Sequence, residues 1–109
     1  MNHRVCAGVA ALGLLASAAA ATAEGDVEAG QWKAIPCMGC HGIEGYANVY
    51  PTYRVPKIGG QHEAYLVEAL KAYRSGMRAH KTMRAQAASL SDQDMMDIAA
   101  YFSRSTSDE

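Results

Sequence analysis

Three stretches of the chain space their apolar residues like amphipathic helices, whereas strand signals are weak throughout. The longest runs from His62 to Ser75. Tyr65, Leu66, Ala69, Leu70 and Tyr73 share one of its faces, and Gly76 offers a left-handed stop. Another runs from Ser91 to about Ser103 and aligns Met95, Ile98, Ala99 and Phe102. Ser91 is placed to cap it, Asp94 stands at the capping-box position, and Asp92 suits the positive end of the helix dipole. A shorter candidate spans Asp26 to about Ile35, with Asp26 as N-cap and Pro36 interrupting it just before two cysteines. Two long connections, 42–61 and 76–90, lie between these helices. Loops of that length inside a small domain are usually functional, and they need something to wrap around. The pattern predicts an all-α fold of three main helices and long loops.

The first 23 residues follow a different rule. Arg4 supplies an early positive charge, Val5 to Ala21 is a run rich in Ala and Leu, and Ala21-Thr22-Ala23 places small residues at a cleavage site. This predicts a signal peptide over 1–23 and one mature domain over 24–109, exported to the periplasm, with no stable membrane span after cleavage. The run is short and rich in Gly and Ala for a spanning helix. Cys6 falls inside it and is expected to leave with it, so only Cys37 and Cys40 remain of the three cysteines. A disulfide between those two would close a trivial loop and stabilise little.

Composition then exposes a deficit. Half of the 109 residues are hydrophobic, but after residue 23 only 11 are Val, Ile or Leu. Small domains bury a low fraction of their surface and usually need a staple. The net charge of −1, with 10 basic and 11 acidic residues, does not suit a nucleic-acid binder. The basic residues are nevertheless segregated. Arg54, Lys57, Lys71, Arg74, Arg78, Lys81 and Arg84 face only Glu63 and Glu68 within residues 54–84, either as a solvated surface or as a docking rim for an acidic partner.

Cys37-Met38-Gly39-Cys40-His41 matches the haem-attachment pattern C-x-x-C-H. Two thiols three residues apart project from one face of a helical turn and can add to the two vinyl groups along one haem edge. His41 can then reach the iron as proximal ligand. A redox dithiol is a weaker reading, because no βαβ pattern surrounds the motif. Zinc would need further ligands, such as His62 or His80. The second axial position has Met77, Met83, Met95, Met96, His62 and His80 as candidates. Met95 and Met96 sit in the last helix, where Met usually fills the core. Met83, in the second long loop, is the best placed and Met77 the next.

With these elements in hand, residues 25–104 resemble a class I cytochrome c, close to the single-domain bacterial cytochrome c553 and c4 group. Four local matches carry the resemblance. They are Gly30; Cys37-Met38-Gly39-Cys40-His41-Gly42 with Gly45; Pro56-Lys57-Ile58-Gly59-Gly60-Gln61 leading into Tyr65-Leu66; and Met83 ahead of Leu90-Ser91-Asp92 and Ala99-Ala100-Tyr101-Phe102. The family more often has Leu-Ala-Gly-Gln where this chain has Ile58-Gly59-Gly60-Gln61.

The resemblance implies the small cytochrome c fold around one haem c, held covalently by Cys37 and Cys40, with His41 and Met83 as the iron ligands. Pro56 would offer its carbonyl to the His41 ring, and Gly30 would let the first helix approach the last beneath Tyr101. The implied function is periplasmic electron transfer rather than enzymatic turnover. Its partners would be redox proteins: a dehydrogenase or cytochrome as donor, and an oxidase or reductase of a respiratory chain as acceptor. The alternatives are the haem subunit of a periplasmic dehydrogenase complex, or a haem enzyme or sensor with an open iron site.

Overall fold

A computed structural model describes residues 24–105. The expected signal peptide and its Cys6 lie outside the described residues. The elements run in the order α1 (Val27–Lys33), α2 (Ile35–His41), β1 (Ala47–Val49), β2 (Thr52–Arg54), α3 (Glu63–Ser75), α4 (Lys81–Ala87) and α5 (Asp92–Arg104). No described helix is long and apolar enough to cross a membrane.

The last helix is the axis on which α1 and α3 pack. Both halves of its capping box form. The Ser91 hydroxyl accepts the Asp94 N–H at 3.0 Å, and the Asp94 carboxylate accepts the Ser91 N–H at 2.9 Å. Met95, Ile98, Ala99 and Phe102 are all buried, as their spacing predicts. α1 starts at its expected cap, where the Asp26 carboxylate accepts the Ala29 N–H at 3.0 Å. It crosses α5 at Gly30, so closely that a Cβ there would sit 1.9 Å from the Asp97 carbonyl oxygen and 2.9 Å from the Tyr101 Cβ.

One buried carboxylate ties that crossing together. Asp97 is 2% exposed and accepts from the Asp26 N–H at 2.8 Å, Lys33 Nζ at 2.6 Å and Gln93 Nε2 at 2.8 Å. Burial works to raise its pKa, but these donors outweigh it and hold the group below the usual carboxylate range.

α3 packs on the other side of α5 and ends as expected at Gly76, whose φ of 83° continues the chain in the left-handed region. Leu66 is its buried residue, while Tyr65, at 51% exposed, lines a cavity together with Leu66, Ala69, Leu70 and Tyr73. Ala34, Leu66, Ile98, Ala99 and Phe102 form the core, flanked by Cys37, Ile58, Val67, Leu70, Leu90 and Tyr101.

The connections are more ordered than the apolar pattern implies. Pro36 does not end helical structure before the cysteines. It occupies the first turn of α2, where its missing N–H has no helical partner to lose, and α2 carries the whole Cys37–His41 segment. Residues 42–61 contain a two-stranded antiparallel hairpin in register Ala47↔Arg54, Asn48↔Tyr53 and Val49↔Thr52, with a cis Tyr50–Pro51 bond in its turn. The Val55 N–H donates to the Tyr46 carbonyl at 3.0 Å, and the Gly60 N–H to the Phe102 carbonyl at 2.8 Å. Both ends of the segment that carries Pro56 are thereby fixed. Residues 76–90 contain α4, packed against α3, so Met83 stands on a helix rather than in an extended loop.

Candidate functional site

α2 brings the chemistry-bearing residues into one place. Cys37 and Cys40 lie one helical turn apart, followed by His41. Burial, with a smaller contribution from neighbouring Cys40, pushes the Cys37 thiol up from its ordinary value. A dithiol that exchanges with other disulfides needs the opposite shift, toward thiolate, so the environment does not suit redox exchange.

The imidazole of His41 is oriented by backbone. Its Nδ1 lies 2.8 Å from the Pro56 carbonyl oxygen, which can only accept, so the proton sits on Nδ1. The Nε2 lone pair is left free to bind a metal. Pro56 in turn is held by the two backbone bonds that pin residues 55 and 60.

Across from this helix, α4 presents Met83, which is partly buried. Its start is clamped by groups that are far apart in sequence. His80 is the N-cap and its Nδ1 accepts the Met83 N–H at 3.3 Å. The Tyr53 ring meets His80 edge-on at 4.8 Å, Tyr73 packs on its other flank at 6.2 Å, and the Tyr53 hydroxyl donates to Thr82 Oγ1 at 3.2 Å. No spacing rule connects Tyr53 to Thr82, so sequence reasoning missed this support. The hairpin that provides Tyr53 gave only a weak strand signal.

Between α2 and α4 lies a cavity of about 370 Å³. Cys37, Cys40, His41, Pro56 and Met83 all line it, and Leu66, Leu70, Ile98 and Phe102 supply an apolar wall. No acidic side chain lines it, whereas Arg54, Lys57 and Arg78 do. The volume and largely apolar lining, with a few convergent polar groups, suit a cofactor site. The donor set is specific: two thiols at one edge, a free imidazole nitrogen and a thioether. These residues fit a covalently attached iron porphyrin.

The rival ligands are placed elsewhere or occupied otherwise. Met77 is 87% exposed and Met95 is fully buried in α5. Met96 borders a separate, shallow groove beside Glu63, Ala64 and Val67. His62 is exposed at the start of α3 and does not line the cavity. His80 does line it, with Nδ1 engaged in the α4 cap. No group of three or more His, Cys, Asp or Glu side chains that could hold a metal occurs among the described residues.

The basic stretch divides in the same way. Arg54, Lys57 and Arg78 reach the cavity, while Lys71 pairs with Glu68 at 3.7 Å and Arg74 with Asp92 at 2.6 Å.

Comparison with known proteins agrees with this geometry. A family profile described as Cytochrome c matches residues 27–105. Cytochrome c4 of Pseudomonas aeruginosa is 41% identical over 102 residues, covering 94% of this chain and 48% of that protein. Cytochrome c-554(548) of Halomonas halodenitrificans is 43% identical over 82 residues, covering 72% of this chain and 95% of that one. The solved structure of reduced recombinant cytochrome c4 from Pseudomonas stutzeri superposes with a TM-score of 0.60 at 28% identity, covering 77% of this chain and 52% of that chain. The chain thus spans about half the length of the cytochrome c4 relatives it matches.

Proposed function

The chain belongs to the cytochrome c family, whose cofactor is covalently bound haem c, and from that premise we propose that it is a periplasmic one-electron carrier and not an enzyme. Cys37 and Cys40 would hold the haem covalently through thioethers, and His41 and Met83 would bind its iron. Residues 1–23 act as the export signal and residues 24–109 as the mature domain. When bound, the haem supplies the ferric/ferrous couple.

The protein's own residues do the remaining work. The Pro56 carbonyl fixes the His41 tautomer and the orientation of its ring. Met83, anchored at the start of α4, offers a thioether, which favours the ferrous state and raises the potential. With His41 and Met83 both bound to it, the haem would supply electron transfer rather than oxygen chemistry. Leu66, Ile98 and Phe102 keep water from the interior side of the ring. Arg54, Lys57 and Arg78 make the cavity mouth electropositive, which suits transient docking by redox proteins with acidic faces.

The observation that carries this reading is His41 Nδ1 at 2.8 Å from the Pro56 carbonyl, in a cavity that Met83 also lines. Met83→Ala is expected to abolish the sulfur-to-iron charge-transfer band of the oxidised protein, lower the potential and admit carbon monoxide to the reduced protein. Met77→Ala is expected to change none of these. A Met83→Ala protein that keeps the band and the potential refutes the ligand assignment.

A further inference from the structure

α1 and α2 turn one side inward and leave the other bare. Gly30 meets α5, Ala34 lies in the core and Cys37 lines the cavity. The Ala34 N–H donates to the Gly30 carbonyl at 2.8 Å and the Met38 N–H to the Ala34 carbonyl at 3.2 Å, so helical spacing carries on across the junction. Trp32, Ile35 and Met38, three residues apart, therefore follow one another along the outer side. The tip of Met38 lies over Gly42, where an added Cβ would sit 2.6 Å from its Cε, and Ile43 continues the strip.

The strip is large for a surface that stays in water. Trp32 is 70% exposed, Ile35 58%, Ile43 50% and Met38 38%. At these exposures the side chains together present roughly 400 Å² of mostly apolar surface, the size at which a patch on a monomer marks a contact site. None of them lines the cavity.

The strip is also free of charge. No Asp, Glu, Lys or Arg occurs from Ala34 to Ile43. The charges that flank it are already engaged, Lys33 with Asp94 at 2.8 Å and Asp97 at 2.6 Å, and Glu44 with Lys57 at 3.1 Å. Covering the strip buries no unpaired charge.

That neutrality selects the occupant. A redox partner with an acidic face is steered to Arg54, Lys57 and Arg78, whereas a neutral strip neither attracts nor orients it. In a twofold contact between copies each patch meets its own image, so any charge within it opposes a like charge. Two copies meeting at the basic cavity mouth would pay that repulsion, and two meeting at the α1–α2 strip would not. The area fits as well. A specific contact buries about 800 Å² per partner, and in homodimers about 65% of it is apolar, so each copy must offer about 500 Å² of apolar surface. The strip supplies most of this, and exposed Glu28 and Gln31, one turn from Trp32 and Ile35, can form part of a polar rim.

We propose that this strip is a self-association surface: two copies pair about a twofold axis through Trp32, Ile35, Met38 and Ile43. Both cavities are then lined by residues outside the contact and stay available to redox partners.

The test is sedimentation velocity of the holoprotein over a dilution series that reaches millimolar protein. Trp32→Glu, Ile35→Glu and Ile43→Glu each place a carboxylate at an exposed position, and each brings two such charges into the pair. Tyr50→Glu, at 93% exposed between β1 and β2, makes the same change outside the strip. The unsubstituted protein and Tyr50→Glu are expected to sediment at twice the mass of one chain. The strip variants should sediment at half that mass, with unchanged visible spectrum and circular dichroism. The doubled mass should persist at about 1 M salt, where the Debye length is about 3 Å, because apolar contact is not screened.

Monomers at every concentration overturn the proposal. If the unsubstituted protein then floats with neutral phosphatidylcholine vesicles and Trp32→Glu does not, the strip is a lipid contact instead. A dimer that salt dissolves, or that survives the strip substitutions, overturns it as well, because the contact then lies on another surface. Should one strip variant fail to fold, the others decide.

Discussion

Placing alanine at two helical glycines separates close packing from helix propensity. At Gly30 the added Cβ would lie 1.9 Å from the Asp97 carbonyl oxygen and 2.6 Å from its carbon. Both separations are about 1 Å or more inside an ordinary non-bonded contact. The obstacle is backbone, so no rotamer change relieves it and α1 must move away from α5. Such movement pulls the Asp26 N–H from the Asp97 carboxylate, now at 2.8 Å, and Lys33 Nζ from the same group, now at 2.6 Å. Hydrogen bonds to charged groups contribute about 1.5–3 kcal/mol each, so Gly30→Ala is expected to cost about 3–6 kcal/mol. For a domain of this size that corresponds to a Tm lower by about 15–30 °C. Gly39 is the control. It is exposed in α2, and a Cβ there meets nothing within 4 Å. Gly39→Ala should gain helix propensity and stabilise by about 0.5–1 kcal/mol. Thermal unfolding of the holoproteins, followed by circular dichroism, reads both effects. A Gly30→Ala protein that melts within a few degrees of the unsubstituted one, or equal losses at the two sites, refutes the close-crossing account.

Acid should loosen the same interface. Lys33, then the hydrogen bonds with Ser91, hold the Asp94 carboxyl at about 2, below the unfolded value of about 3.9. Its contribution is therefore fully present above about pH 4 and lost as pH falls through about 2. Tm should drop across that window, and Asp94→Asn should flatten the drop; parallel curves for the two proteins would count against this. Cys37→Ala/Cys40→Ala, which cannot hold the haem covalently, should give a largely unfolded chain by circular dichroism, and native-like cooperative melting without haem would contradict it. If Arg54, Lys57 and Arg78 form a docking rim, electron exchange with an acidic redox partner should slow steeply as salt rises, whereas a flat salt profile in stopped-flow kinetics removes the rim.

The long periodic helices were legible because their signals are local. The capping box at Ser91 and Asp94 and the stop at Gly76 lie within a few residues of what they control. The cysteine pair and His41 were legible for the same reason, being contiguous in the chain. α4 was not legible. It has seven residues, one buried position at Ala87, and a histidine cap that usual N-cap preferences do not rank. Its start depends on Tyr53 and Tyr73 packing against His80, contacts that exist only once the hairpin and α3 are in place. Pro36 misled for a related reason: the residue that ends one helix can also open the next, and only the Ala34 junction shows which occurs.

The shortage of aliphatic residues and the cavity are one feature seen twice. Of the eight buried hydrophobic residues among those described, four are alanines, leaving Leu66, Met95, Ile98 and Phe102 as the larger ones. Three of those four, Leu66, Ile98 and Phe102, also line the cavity, so the core has one face turned to the cofactor rather than to another helix. Without the porphyrin the cavity beside these side chains would lack its filler, and the packing at the centre of α3 against α5 would lose those contacts. The same contacts link stability to redox function. Substitutions that shrink this wall, such as Ile98→Ala, leave the ligands in place while admitting water beside the ring. They should therefore destabilise the fold and lower the potential together, because water stabilises the more highly charged ferric state. A large loss of stability with an unchanged potential would mean that the wall serves packing alone.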